Sequence, residues 1–304
     1  MKPICVFGVF VADLCFVADA IPKKGQTILG NKHIVGPGGK GSNQAIAAAR
    51  LGGSVNFITK IGKDQNADMA LSLYREAGMH TACVIQDANY LTGVAGIMID
   101  EKTGDNAINI VPGAAGNLTN EDIDNNLNFI DKSEIFLTQL ETPYKVTSYA
   151  LKKAKDLGLT TIFNPAPASE INENDFKLID YFTPNETEAS FYLKKNVESK
   201  TEIEIAAKTF LEKGVKNIVI TLGSKGLYFA NSVESYFVDA FNLKDKVIDT
   251  TGAGDAFNGA FAYALSNNHK NKDALEFANK VAGISTTRAG AANAMPRLKE
   301  VENY

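Results

Sequence analysis

Asp249-Thr250-Thr251-Gly252-Ala253-Gly254-Asp255-Ala256-Phe257-Asn258-Gly259-Ala260 runs from a glycine-rich turn straight into an apolar helix carried on by Phe261, Ala264 and Leu265. Such a junction leaves backbone N–H groups without intrahelical partners, pointing one way. With the helix dipole added, it is a site for phosphate or for an oxyanion. Gly252, Ala253 and Gly254 are small enough for an anion to lie against the main chain.

Asp255 stands at that junction. A carboxylate beside an anion site repels the anion, so its presence calls for a reason. In phosphoryl transfer the reason is a base that accepts the proton of the attacking hydroxyl. A structural role competes, because Asp also favours the first turn of a helix. The segment alone leaves both readings open.

The chain has 304 residues, 45% hydrophobic and 22% charged, enough to bury a large α/β core. A net charge of -4 gives no support for a nucleic-acid partner or a membrane surface and points to a small-molecule ligand. Cys5, Cys15 and Cys83 are widely spaced with no C-x-x-C pair. That argues against a disulfide framework or a zinc site and fits a reducing, cytoplasmic compartment. His33, His80 and His269 are scattered, and no G-x-S-x-G or H-E-x-x-H occurs, so they read as surface or packing residues. The apolar run 4–12 is interrupted by Asp13 and preceded only by Lys2, which suits a first strand rather than a signal sequence. No run approaches the ~18 apolar residues of a membrane helix.

Residues 4–11 read as one strand buried on both faces, with Asp13 at the mouth of a site beyond its C-terminal end. From 14 to 37 Pro22, Gly25, Gly30, Gly36 and Pro37 punctuate short apolar pieces at 27–29 and 33–35. Residues 93–99 and 107–111 flank Asp100-Glu101-Lys102-Thr103-Gly104-Asp105, a strong hairpin signal. These two strand-only insertions, 14–37 and 92–111, read together as a small β-sheet lid, or else as an edge extension of the main sheet. Residues 1–13, 38–91 and 112–304 would then form the main domain.

Gly36-Pro37-Gly38-Gly39-Lys40-Gly41-Ser42-Asn43-Gln44 leads into a clear helix at 45–51. It is not a Walker A loop, since Gly41 follows Lys40 and the glycine spacing differs. Backbone donors, an ammonium and an amide suit sugar hydroxyls as well as phosphate. From Val55 onward strands and helices alternate: strands at 55–61, 135–140, 159–163 and 217–222, a hairpin at 227–238, and a last helix at 273–288. Repeated βα units mean a doubly wound, mostly parallel sheet with helices on both faces, a three-layer αβα architecture. Asp13, Glu141, Asn164, Asn185 with Glu188, and Thr221 with Gly223 recur where strands should end. Each alone reads as a cap or turn residue; the set reads as a site.

The chain resembles the PfkB carbohydrate kinase family, and within it the ribokinase branch. Gly38 to Ala45 matches the family's first signature and Asp249 to Ala260 its second. Asn164-Pro165-Ala166-Pro167-Ala168, Thr183-Pro184-Asn185-Glu186-Thr187-Glu188-Ala189 and Thr221-Leu222-Gly223-Ser224-Lys225-Gly226 match the segments between, in order. The resemblance implies an ATP-dependent kinase for the primary 5-hydroxyl of a pentose, ribose first. Asp255 would be the base, with the amides of Gly252, Ala253 and Gly254 as anion hole. Asp13, Gly39, Lys40, Asn43 and Glu141 would hold the sugar. Asn185 and Glu188 would order Mg2+ through water, and the phosphates. Thr221, Gly223, Ser224, Gly226, Gly254 and Asn279 would line the ATP pocket. Asp249, with carbonyls at Thr251, Ser285, Arg288 and Gly290, resembles the family's monovalent-cation (K+) site. Lids of this family often pair between subunits, which implies a homodimer.

Two departures stand out. Val11 replaces the Asn that typically precedes the sugar-binding Asp by two residues, so an amide that could pair with a sugar hydroxyl is lost. That suits deoxyribose or a sugar oriented differently, or it leaves Val11 to pack only. Ala294 stands where a Ser hydroxyl often faces the cation. The alternatives are a related kinase for deoxyribose, fructose or a nucleoside, and, from another class, a non-catalytic sugar- or nucleotide-binding regulator.

Overall fold

Apolar runs alternating with amphipathic helices build two sheets in the computed structural model, which describes residues 2–243 and 246–304. The chain opens with β1 (Ile4–Phe7), passes through β2 (Val11–Ala18) and β3 (Lys32–Gly38), and continues as α1 (Lys40–Arg50), β4 (Val55–Ile61), α2 (Gln65–Glu76) and β5 (Val84–Gln86). A hairpin of β6 (Thr92–Asp100) and β7 (Asn106–Gly113) follows, then two short helices, α3 (Asn120–Asp124) and α4 (Leu127–Asp131). Next come β8 (Ile135–Thr138), α5 (Tyr144–Asp156), β9 (Thr160–Phe163), β10 (Tyr181–Phe182), α6 (Glu186–Leu193), α7 (Lys200–Glu212) and β11 (Asn217–Thr221). The chain closes with β12 (Leu227–Asn231), β13 (Ser235–Val238), α8 (Ala253–Ser266), α9 (Asn271–Ser285) and α10 (Leu298–Asn303).

The large sheet runs β13-β12-β11-β10-β9-β8-β1-β4-β5, parallel except for the β12–β13 hairpin at one edge. Side chains alternate across it with the period of two that a strand imposes. Ile4 and Val6 join the core under α1, α2, α8 and α9, whereas Cys5 and Phe7 join the core under α5, α6 and α7. The expected three layers are therefore present. No helix among the described residues is long and apolar enough to cross a membrane.

The second sheet has four strands in the order β3-β2-β6-β7, so the two insertions form a separate sheet rather than an edge extension. Three local expectations need correction. The run 4–11 is not one strand: it leaves the large sheet after Phe7, because Gly41 of α1 packs onto Gly8 (2.7 Å from a Cβ built there), and Val11 begins the small sheet. Asp13 is thus the third residue of β2, paired across to Gly36 and Ala95, not the end of a main-sheet strand. The last long helix ends at Ser285 rather than 288, and α10 follows it. The apolar piece at 27–29 forms no strand.

α1 and α8 lie against each other where Gly259 has no side chain. A Cβ there would land on the Gln44 carbonyl and 2.7 Å from the Ala47 Cβ. That close approach brings the start of α1 to the start of α8.

Candidate active site

Asp255 sits in the first turn of α8 and is buried. Gly252 caps that helix at φ 76°, a left-handed conformation that glycine adopts without steric cost, and a Cβ there would come within 2.9 Å of the Ala291 Cβ. The amides divide. Ala253 N–H donates to the Thr250 carbonyl at 3.2 Å and closes the turn. The N–H groups of Gly252, Gly254 and Asp255 have no acceptor among the described residues. The open donors of the turn are therefore Gly252, Gly254 and Asp255, with Ala253 committed to the loop.

Both carboxylate oxygens of Asp255 are engaged. Asn43 Nδ2 donates to Oδ2 at 2.9 Å and Gln44 Nε2 to Oδ1 at 3.0 Å. Burial pushes the Asp255 pKa up, and the Lys40 ammonium and the two amides hold it back, leaving a net rise. Gln44 also donates to Asn164 Oδ1 at 3.0 Å and accepts from Gln139 Nε2. Asn164 donates to the Thr183 carbonyl at 3.1 Å, Thr183 Oγ1 to Asn258 Oδ1 at 2.7 Å, and Asn258 Nδ2 to the Gly254 carbonyl at 2.8 Å. Apart from Asn43 Oδ1 and Gln139 Oε1, the buried polar groups around the carboxylate are thus paired one to the next.

A cavity of about 200 Å³ opens on Asp255, lined by Lys40, Asn164, Ala166, Thr183, Asn185, Glu188, Thr221, Gly252, Gly254 and Asn258. On one side lies the loop into α1. The Lys40 amide donates to Glu141 Oε2 at 2.7 Å. Gly39 caps α1 at φ 89°, and the absent Cβ of Gly38 leaves room for the Asp13 carboxylate. Burial raises Asp13 to about 6. Burial also raises Glu141 to about 7; the Lys40 ammonium and amide oppose the rise, and the charges of Asp255 and Asp13 add to it. Lys40 is half-buried, and desolvation disfavours its charge, yet Asp255, Glu141 and Glu188 together keep its pKa above the ordinary value. One cation thus serves three carboxylates. Asn43 Oδ1 is buried with no partner among the described residues and is free to accept. Val11 is buried among Val9, Ala95 and Ala115, with Ile97 against them.

Asn185 caps α6 in a reciprocal box: its Oδ1 accepts from Glu188 N–H at 2.7 Å, while Glu188 Oε2 accepts from Asn185 N–H at 2.9 Å. The structural role and the cavity position coincide. Burial raises the Glu188 pKa, against the Asn185 amide and Lys40.

A second cavity of about 760 Å³ meets the first at Thr221 and Gly254. Gly223, Ser224 and Gly226 form one wall, Asn279 another, and Phe241, Leu243, Val247, Phe257 and Ala282 supply apolar surface. Asn279 Nδ2 is tied to the Asp239 carbonyl at 2.7 Å.

Asp249 joins the loop before α8 to the loop after α9. Its Oδ1 accepts from Thr251 N–H at 2.9 Å, its Oδ2 from Gly290 N–H at 2.8 Å, and its own N–H donates to the Thr286 carbonyl at 3.1 Å. Burial would raise the Asp249 pKa, but these donors bring it below the ordinary value. The carbonyls of Thr251, Arg288 and Gly290 accept no backbone hydrogen bond among the described residues, whereas the Ser285 carbonyl takes a long one (3.4 Å) from Arg288 N–H. The Arg288 guanidinium is turned away to Glu300, at 2.7 Å.

Sequence reasoning quoted Gln44, Asn164, Thr183 and Asn258 without a role beside Asp255, and it missed Gln139. Neutral amides and a hydroxyl carry no charge pattern. Their only signal was nearness in sequence to the motifs.

A glycine-capped helix start, a buried carboxylate and a charged cavity beside a larger apolar one are features of a phosphotransferase site on this fold. The chain belongs to the pfkB family of carbohydrate kinases, whose pattern matches residues 1–298. It is 35% identical over 303 residues to the ribokinase of Haemophilus influenzae, with 100% of this chain and 98% of that protein covered. It is 33% identical over 302 residues to the deoxyribokinase of Salmonella typhi, covering 99% and 98%. A structure of Arabidopsis thaliana ribokinase complexed with ribose and ATP superposes with a TM-score of 0.94 at 30% identity, covering 99% of this chain and 98% of that one. The chain spans 56% of the length of one further relative, a bifunctional ribokinase/ribose-5-phosphate isomerase A of Fructilactobacillus sanfranciscensis, at 37% identity.

Proposed function

We propose that this chain transfers the γ-phosphoryl group of ATP to the primary 5-hydroxyl of ribose. The observation that carries the reading is Asp255, buried, held by Asn43 and Gln44, and sharing one cavity with Lys40 and the open amides of Gly252 and Gly254. The sugar lies between Asp13, Gly39, Lys40, Asn43 and Glu141, its hydroxyl against Asp255. Asp13 and Glu141 accept from sugar hydroxyls, and the unpartnered Asn43 Oδ1 accepts another. The adenine side of ATP occupies the larger cavity, along Gly223, Ser224, Gly226 and Asn279, and the γ-phosphate reaches the shared edge at Thr221 and Gly254.

In a loose transition state the three equatorial oxygens carry the charge, and the amides of Gly252 and Gly254 with the Lys40 ammonium stabilise it. Asp255 takes the hydroxyl proton as the new P–O bond forms. Glu188 and Asn185 suit Mg2+ held through water: Glu188 Oε1 is left open by the capping box, and Mg2+ in such sites takes one or two carboxylates with phosphate oxygens. The ion would neutralise phosphate charge. Asp249 and the carbonyls of Thr251, Arg288 and Gly290 offer the hard oxygen donors that suit K+, which would fix the loop carrying the open amides.

The register of the small sheet puts Ile97, Ile99, Ile108 and Ile110 on the same face as Asp13, so that face would close over the sugar and exclude water. Ile34, Ile108 and Ile110 on that face are 41%, 55% and 48% exposed, and Phe16, Val35, Met98 and Val111 on the other face are exposed too. A four-stranded sheet exposing apolar side chains on both faces needs a cover, which supports a homodimer joined through it. Three free thiols support a reducing, cytoplasmic setting.

A second reading, deoxyribose, rests on Val11, whose place in an apolar cluster supplies no partner for a hydroxyl. The test is an ADP-release screen of ribose, deoxyribose, fructose and nucleosides with and without K+. Ribose is expected to show the highest kcat/KM and K+ to raise it. Turnover confined to deoxyribose would replace the substrate, and no turnover with any sugar would overturn the reading.

A further inference from the structure

Gln44, which holds Asp255, is paired with Gln139, a residue the reaction just described does not use. They lie 95 residues apart, on α1 and just after β8, and are 0% and 1% exposed. Neither lines the cavity. Gln44 Nε2 donates to two acceptors, Asp255 Oδ1 and Asn164 Oδ1, both at 3.0 Å. A primary amide has two ends of opposite polarity and nearly equal shape. Turned round, the Gln44 amide would set its oxygen against two acceptors and leave buried groups unpaired, which is costly. Those two acceptors set the orientation of the Gln44 amide, and Gln139 Nε2 donates to the Gln44 Oε1 that this orientation leaves on the other side. Gln139 Oε1 lies against Gly8, where a Cβ would overlap it, and has no hydrogen-bond partner among the described residues.

We infer that Gln44 and Gln139 are positioning residues for Asp255: Gln44 fixes Asp255 Oδ1 so that the carboxylate faces the cavity, and Gln139, through its bond to Gln44 Oε1, holds the Gln44 amide in that place. The inference rests on the reading of Asp255 as the base, and it deepens that reading. Three charged groups face Asp255: Lys40 from α1, Glu141 from the segment after β8, and Glu188 from α6. All three remain when the glutamines are changed. Removing the Gln44 donor leaves the ionised carboxylate with one amide instead of two and takes away one of the groups that oppose the effect of burial.

The test uses the full chain with Gln44→Met, Gln139→Met and the double substitution, side chains of similar length without a donor. Two quantities are read. One is the titration of the Asp255 carboxyl carbon by 13C NMR, assigned with Asp255→Asn; the other is the steady-state kcat and sugar KM with ATP. The Asp255 midpoint is expected to move up in Gln44→Met and, by less, in Gln139→Met. kcat is expected to fall roughly 10–100-fold in Gln44→Met while sugar KM stays within about threefold. The double variant should lose no more than Gln44→Met alone, because Gln139 acts only through Gln44. An unchanged Asp255 midpoint in the folded single variants, or losses that add in the double variant, would overturn the inference. Shifted midpoints in a protein whose wild type turns over no sugar would keep the positioning and remove the kinase reading instead.

Discussion

Asp255 is a weak base by nature, with an unperturbed pKa near ~3.9, far below that of any sugar hydroxyl. It cannot form an alkoxide beforehand. When the proton leaves late in a loose transition state, placement outweighs basicity, and two amides on one carboxylate provide placement. Asp255→Asn is expected to lose about 10²–10⁴-fold in kcat, roughly 3–5 kcal/mol, and to keep its sugar affinity. ADP release and calorimetry check the two halves. Asp13 and Glu141 make a second prediction, in pH. Folding raises them from 3.8 to about 6 and from 4.5 to about 7, so the folded chain holds their protons more tightly than the unfolded one. Stability from this source is complete below the unfolded values and is lost as pH rises through the folded ones. The melting temperature of the ligand-free protein should fall between pH 4.5 and 7 more steeply than that of Asp13→Asn/Glu141→Gln; equal slopes would contradict the assignment. Asp255 and Lys40 were legible in the sequence because charge at a glycine-rich helix start is unusual. Gln44 and Gln139 were not, since their meeting depends on how the start of α1 meets the segment after β8.

At the scale of elements, the site exists because α1 and α8 touch. Gly259 permits that contact, and its role could not be read in sequence, where a glycine inside a helix signals either packing or mere weakness. Gly259→Ala should cost about 1–3 kcal/mol by overpacking and also lower kcat, because α1 carries Asn43 and Gln44 away from Asp255. Urea unfolding and turnover measure the two effects; a destabilised variant with full kcat would separate the helix contact from the site. The βα units were legible from apolar runs and turn residues. The break after Phe7 was not, because residues 4–11 are apolar throughout, and what ends β1 is Gly41 packing on Gly8 from a distant helix.

In the whole molecule the large sheet and its helices frame both cavities, and the small sheet carries Asp13 and exposed apolar surface. Its hairpin was plain from Asp100 to Asp105, but the exposure of Ile108 and Ile110 was not, since an alternating strand does not say what covers either face. Ile108→Glu/Ile110→Glu should give a single-chain mass by light scattering where the wild type gives twice that mass, with weaker sugar binding. A wild type of single-chain mass would remove the dimer. The most direct measurement of the whole account is 31P NMR of the protein with ATP, Mg2+ and ribose, beside Asp255→Asn. A new phosphomonoester resonance coupled to the C5 protons of ribose, growing with the wild type and about 10²–10⁴-fold slower with Asp255→Asn, is expected. Phosphate appearing as free inorganic phosphate, or equal rates from the two proteins, would contradict it.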